Sequence, residues 1–377
     1  IMALTKVTSG VRTLGTGEVA TANMATDPTN ATNLASGTVP TARLGSGTAN
    51  SGAFLVGDQT WDNSVPTLNL DGTTEASPAE GDIWYDSGKF YLGTNQAVGG
   101  VWATGGNLST GRSSGGAFGI QTAAVLGGGY TTGYVTTTEE YNGTTWSSGG
   151  AMSTARSLAA PGGTDVAGFI AAGRDSGYLA TTEEYNGTAW SSGGSVSTAR
   201  GYLAGAGTQT AGLCMGGWTG ADSNDTEEYD GSSWSSGGDL ATARHGLAGC
   251  GTQTAALSIA GNISGDVAQN MTEEYNGTSW SAGGNVLLAR WYLIGAGTLS
   301  AALNAGAGSP NDTTEEYDGT SWTAGGDMVT GLSSAGGAGT LAAGLSAGGA
   351  SQSVSTQEYT SPGNLSYDEL FSVSGGL

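Results

Sequence analysis

The chain is short of histidine, cysteine and cations: one His, two Cys, and 10 Lys and Arg against 32 Asp and Glu in 377 residues. Each shortage excludes something. His245 alone cannot build a multi-histidine metal or oxidase centre, and any Ser/His/Asp arrangement is limited to one centred on it, at a strand start in a single part of the chain. Cys214 and Cys250 have small apolar neighbours and no zinc spacing, so free buried thiols are expected. A net charge of −22 and a pI near 4.1 oppose binding to nucleic acid or to an anionic membrane surface, because basic residues supply the non-specific attraction to both. No apolar run reaches the roughly 18 residues of a membrane-spanning helix, and the start shows no charged region followed by an apolar core. Residue 1 is Ile rather than an initiator Met, so targeting stays open. Helical spacing of apolar residues is missing as well, and each of the 70 glycines would cost a helix roughly 1 kcal/mol relative to alanine. The expected class is all-β.

What is present is a repeat. Thr226-Glu227-Glu228-Tyr229-Asp230-Gly231-Ser232-Ser233-Trp234 recurs with its tyrosine at Tyr141, Tyr185, Tyr229, Tyr275, Tyr317 and Tyr359, in steps of 44, 44, 46, 42 and 42 residues. Five copies carry a tryptophan five residues later, at Trp146, Trp190, Trp234, Trp280 and Trp322, whereas Tyr359 runs into Thr360-Ser361-Pro362. The missing tryptophan stands at the other end, where Trp102 precedes Trp146 by the same 44 residues. An array that lacks its last strand and carries a spare first one describes a closed ring of six units. Each unit reads as four short strands, for the third 200–207, 211–217, 226–229 and 233–235, with Asp230-Gly231 as a tight turn between the last two.

Four-stranded sheets repeated radially protect their edges against their neighbours, which is the logic of a β-propeller. The unit resembles a kelch repeat, with a glycine pair, then the tyrosine, then the tryptophan. The pair reads Gly127-Gly128, Gly216-Gly217 and Gly348-Gly349, and degenerates to Ala172-Gly173, Ala260-Gly261 and Ala305-Gly306. The units are shorter than the roughly 50 residues usual for kelch, and alanine replaces many bulky aliphatics. The tyrosines and tryptophans are expected to supply the core.

Adjacent glutamates (139–140, 183–184, 227–228, 273–274, 315–316) suggest paired carboxylates for acid/base chemistry or a metal. Successive side chains on a strand point to opposite faces, so a pair cannot converge on one atom. A structural role fits better. Five units begin with arginine and the sixth with Leu332, and in that sixth unit the first glutamate is Gln357. Joint loss of cation and anion implies that they are partners, since an unpaired buried charge costs several kcal/mol. The expected pairs are Arg112 with Glu139, Arg156 with Glu183, Arg200 with Glu227, Arg244 with Glu273, and Arg290 with Glu315.

Residues 1–62 are poor in apolar side chains and contain a weak copy, 17–24 against 37–44, so order there would require other chains. The run from Ala35 to Ala49, with Phe54-Leu55-Val56-Gly57-Asp58-Gln59-Thr60-Trp61 after it, is similar to stem segments of tailed-bacteriophage tail fibres. That resemblance implies short strands joined from three chains, hence a homotrimer. The run from Thr73 to Asp86, followed by Lys89-Phe90-Tyr91, resembles a small β-hairpin module that precedes distal domains in such fibres. The expected organisation is an extended oligomeric stem (1–62), a small β neck (63–97), a six-bladed kelch-like propeller closed by its N-terminal strand (98–360), and a tail (361–377). The tail has one short strand around 370–373, placed either over a propeller face or against another subunit.

In a propeller the links from first to second and from third to fourth strand share one rim. Here those links are monotonous. The opposite rim carries six variable loops, 129–137, 174–181, 218–225, 262–271, 307–312 and 350–355. Variation confined to one rim marks a recognition surface, although neutral drift would leave the same trace. The candidate contact residues are Tyr130, Tyr134, Arg174, Tyr178, Trp218, Asp222, Asp225, Asn262, Asp266, Asn311 and Asp312. Aromatic faces beside Asp and Asn suit a sugar ring and its hydroxyls. Tyr202, Trp291 and Tyr292, which follow the arginines, are expected inside the sheet.

Some kelch-like proteins are copper oxidases, which need several histidines, and sialidase propellers carry an Asp box whose spacing Tyr-Asp-Gly-Ser-Ser-Trp does not reproduce. No catalytic residue, metal or cofactor is therefore expected. The resemblances imply a structural virion protein on a tail or fibre appendage, partnered by itself and other virion proteins, with its propeller touching host polysaccharide. A purely architectural virion component, or a secreted bacterial adhesin or filament subunit, are the alternatives.

Overall fold

The computed structural model describes residues 100–307 and 312–361, together with the strand backbones Phe54–Leu55, Trp61–Asp62, Leu68–Asn69, Ile83–Asp86, Lys89–Thr94 and Ser366–Ser372. Apart from those strands, the expected stem and neck lie outside the described residues. The chain divides into two units, residues 97–364 and residues 1–96 with 365–377. In the second, Ile83–Asp86 and Lys89–Thr94 form a hairpin, Leu68–Asn69 runs parallel to the former, and Ser366–Ser372 pairs antiparallel with the latter. The C-terminal strand has as its ladder partner the hairpin that precedes the propeller, a pairing that the sequence did not suggest.

Residues 97–364 form a six-bladed β-propeller of antiparallel four-stranded sheets. Blade 3 is typical, with Ala204–Thr208, Ala211–Met215, Thr226–Tyr229 and Trp234–Ser236 side by side. Its first strand begins four residues later than the sequence pattern implies, because the backbone turns left-handed at Tyr202 before entering the sheet. Glycine and alanine dominate the innermost strands, where the blades meet at the axis. A Cβ on Gly205 would lie 2.3 Å from the Pro161 carbonyl oxygen, and one on Gly337 2.7 Å from Ile294 Cβ. Bulkier residues would push the ring open.

Apolar burial falls into six clusters, one at each blade interface. Leu213 and Met215 of blade 3, for example, pack with Leu247 and Tyr275 of blade 4. The ring closes as the repeat count requires. Val101–Thr104 supplies the outer strand of blade 6, antiparallel to Thr356–Thr360, with Trp102 opposite Tyr359 and their ring centroids 5.1 Å apart. The corresponding pairs of the other five blades stand 4.8–4.9 Å apart.

Polar clasps join each blade to the one before it. The tyrosine hydroxyl donates to the second glutamate of the preceding blade, as Tyr275 does to Glu228 at 2.6 Å, and Tyr141 to Glu358 closes the circle. Tyr185, Tyr229, Tyr317 and Tyr359 repeat the contact with Glu140, Glu184, Glu274 and Glu316. Each tryptophan Nε1–H donates to a threonine hydroxyl of the preceding blade at 2.8–3.0 Å, from Trp102 to Thr314 through Trp146 to Thr356. The first glutamate points the other way, into the blade's own arginine. Arg200 Nη1 lies 2.7 Å from Glu227 Oε1 and Arg156 Nη2 3.0 Å from Glu183 Oε1, and Arg112, Arg244 and Arg290 pair likewise with Glu139, Glu273 and Glu315. In blade 6, Gln357 instead exchanges two hydrogen bonds with the Thr330 backbone.

Arg200→Leu alone would strand the buried Glu227 carboxylate, at a cost of about 3–5 kcal/mol. Arg200→Leu together with Glu227→Gln copies blade 6 and should recover most of that loss in chemical denaturation; a double variant no more stable than the single one would contradict the pairing.

The clasps also set an alkaline limit. Burial, and then the hydrogen bond to glutamate, pushes the hydroxyls of Tyr141, Tyr185, Tyr229, Tyr275 and Tyr317 up to about 12, and Tyr359 shifts the same way. An unfolded tyrosine releases its proton near pH ~10. The clasp contribution is therefore whole below about pH 10 and is lost as pH climbs towards about 12. Ionisation of these six tyrosines and loss of sheet circular dichroism should rise together in that window, whereas all 14 tyrosines ionising near pH ~10 in an intact sheet would refute the clasps.

Candidate functional site

The variable rim has a rigid base, and the arginines make it so. Besides its glutamate, the guanidinium in four of the five blades takes carbonyl oxygens at the foot of the variable loop: Arg112 Nη1 donates to Thr137 at 3.0 Å, Arg156 Nη1 to Ala172 at 2.9 Å and Thr181 at 2.6 Å, Arg200 Nε to Gly216 at 3.0 Å, and Arg290 Nη1 to Gly306 at 3.1 Å and Thr313 at 2.9 Å, whereas Arg244 Nη2 takes the Ser258 hydroxyl at 2.7 Å. The loop begins with two left-handed residues. They are Gly216-Gly217 in blade 3 (φ 63° and 112°) and, one residue beyond the pairs read from sequence, Gly128-Gly129 and Gly306-Ala307 in blades 1 and 5.

Inside this rim lies a second ring. Ser114, Leu158, Tyr202, Gly246, Tyr292 and Ser334 occupy the same position in the six blades, all with φ between 55° and 62°. Each backbone N–H donates to the carbonyl of its counterpart in the preceding blade at 2.7–3.0 Å, from Leu158 to Ser114 and onward until Ser114 to Ser334 closes the circle. These residues border an axial cavity of about 120 Å³. That is room for about four waters and well short of the 300 Å³ or more of an ordinary ligand pocket. A larger ligand would have to lie across the mouth rather than inside it.

The mouth is not six-fold in chemistry. In blade 1 the rings of Tyr130 and Tyr134 meet edge-on at 5.2 Å. In blade 2 the Arg174 guanidinium stands 5.8 Å from the Tyr178 ring centre and 5.9 Å from that of Tyr202, and its Nη1 donates to the Tyr202 hydroxyl at 3.0 Å. Tyr202 lies 6.0 Å from Tyr292 and 5.9 Å from His245, and His245 lies 4.9 Å from Trp218. Asp222 accepts from Ser264 N–H and Oγ–H and contacts His245 Nδ1, each at 2.6 Å, which ties the loops of blades 3 and 4 together. Burial pushes the Asp222 carboxyl up, but the bonds from Ser264 and His245 outweigh it and hold it below its ordinary value. Ser264 bonds the carboxylate rather than the free imidazole nitrogen, so these three side chains do not form a nucleophile–base pair.

Tyr130, Tyr134, Arg174, Tyr178, Trp218 and Asp222 thus stand on one mouth. Other rim candidates serve the loops themselves. Asn262 is 1% exposed and donates to Asp266 at 3.3 Å, while Asp225 and Asp312 hold loop feet through their backbone carbonyls, bonded by Gly216 and Met328 N–H. Asp266 is exposed at a hairpin tip, and Asn311 lies outside the described residues. The sequence reading missed Tyr202 and Tyr292 and set aside His245. Both tyrosines are half-buried at the mouth rather than inside the sheet, because the left-handed turn swings them over it. Gly246 at the same position of a third blade was the available signal.

Cys214 and Cys250 are free and buried. Among the described residues no three His, Cys, Asp or Glu side chains gather as a metal site, and no helix is long and apolar enough to cross a membrane. No family model matches the chain, and no curated protein is significantly similar to it.

Proposed function

We propose that this chain is a structural component of a tailed-bacteriophage appendage, and that its propeller meets the host surface through the variable rim, at polysaccharide. The observation that carries the binding part is the concentration of aromatic, imidazole and guanidinium groups on one mouth above a foot fixed by buried ion pairs. A shallow, rigid aromatic floor suits a sugar ring, which offers apolar faces for stacking and hydroxyls for hydrogen bonds. The virion part rests on the resemblance of residues 35–61 and 73–91 to fibre stem and neck segments. A trimeric stem would present three such mouths together, and weak single sites would then add up to firm attachment.

Binding of the purified full chain to host cells or to their isolated polysaccharide tests this. Trp218→Ala and Tyr178→Ala should abolish adsorption while leaving the melting temperature near that of the parent. Adsorption unaffected by both changes would remove the rim from the function, and attachment only to other virion proteins would favour an architectural role.

A further inference from the structure

Arg174 is set apart by its charge. The five other arginines among the described residues are buried and matched one to one with glutamate, whereas Arg174 forms no ion pair there. Elsewhere in this acidic chain a propeller arginine comes with a carboxylate. Two rim carboxylates have donors of their own, since Asp222 is held by Ser264 and His245 and Asp175 accepts the Gly177 N–H at 2.9 Å. Tyr178 and Tyr202 fix the guanidinium in place, so little side-chain entropy remains to be lost on binding.

Tyr202 and Tyr292 add an independent observation. A left-handed backbone costs a residue with a Cβ roughly 1–2 kcal/mol, and Gly246 shows that glycine occupies this position without disturbing the ring of hydrogen bonds. Two large aromatics are nevertheless kept at φ 60°, beside the arginine and over the axis. Backbone strain of this sort gathers at ligand sites. Glycine at 246 also leaves room for Tyr292, whose Cε1 would lie 3.1 Å from a Cβ there.

We propose that the mouth binds a carboxylate-bearing sugar, of the uronic or sialic acid class, with the carboxylate on Arg174 and the ring on the floor made by Tyr202 and Tyr292. This rests on the reading of the rim as a polysaccharide contact and names the ligand class for it. A planar guanidinium offers a carboxylate two parallel hydrogen bonds, which a neutral sugar cannot use in the same way.

Ligand-observed NMR on the full chain with D-glucuronate and N-acetylneuraminate, and with D-glucose as neutral control, tests the assignment. At least one acid should bind about tenfold more tightly than glucose, and Arg174→Gln should remove that preference. Tyr202→Gly and Tyr292→Gly should keep or raise the melting temperature, since blade 4 already carries glycine, and should weaken the acid by about tenfold. Equal binding of acid and glucose, binding of neither acid, or a preference that survives Arg174→Gln overturns the proposal. If adsorption to polysaccharide is lost in Trp218→Ala but untouched in Arg174→Gln, the carboxylate assignment falls and the rim contact stands; if neither change matters, both fall.

Discussion

Every blade donates two hydrogen bonds to the blade before it, one from tyrosine to a glutamate and one from tryptophan to a threonine, and the rest of the molecule depends on those donors. The chain has little else with which to close a ring. Its inner strands are glycine and alanine, as contact at the axis demands, so each interface buries only a few large aliphatics. Apolar burial at about 25 cal/mol per Å² favours collapse but fixes no register. A phenol held by a carboxylate does fix it, because the donor has one position and the bond to a charged acceptor contributes roughly 1.5–3 kcal/mol. Six identical clasps must close together, since a shift of one blade would leave hydroxyl and carboxylate unpaired somewhere on the circle.

The two adjacent glutamates divide their labour by strand geometry. The outward one faces the next blade and builds the ring; the inward one faces its own arginine and builds the rim. Conformational freedom at the rim is thereby confined to the few residues beyond the loop feet. The sixth blade shows that the ion pair is one solution among others, since Gln357 secures the Thr330 backbone without any charge.

Most of this architecture was legible in the sequence because it is repeated. Spacing alone gave the blade count and the borrowed strand of Trp102, and the joint absence of arginine and glutamate in one unit pointed to their pairing in the others. What was not legible depends on the sign of a backbone angle. Tyr202, Trp291 and Tyr292 follow the arginine in a stretch that reads as strand, and nothing in their identity announces a positive φ; only Gly246 at the shared position hints at it, and in a chain with 70 glycines that hint is faint. The pairing of the C-terminal strand was hidden for another reason, because a single short apolar stretch carries no information about its ladder partner.

A ring of equal blades must break its symmetry to present an unsymmetrical surface; the rim loops do so in length as well as in residue type, whereas at the inner ring the break is confined to side chains. The circle of six backbone hydrogen bonds around the mouth is kept whether the residue is serine, leucine, tyrosine or glycine. The backbone therefore tolerates exchange at that position, and the chemistry of the mouth can change without cost to closure. Blades 3 and 5 use that freedom to place Tyr202 and Tyr292 there, with Arg174, His245, Trp218 and Asp222 around them. Blades 1 and 6 offer only serine at the inner ring. The inner ring is accordingly lopsided, with large aromatics in blades 3 and 5 and serine in blades 1 and 6, while the loop of blade 1 keeps its own aromatic pair in Tyr130 and Tyr134.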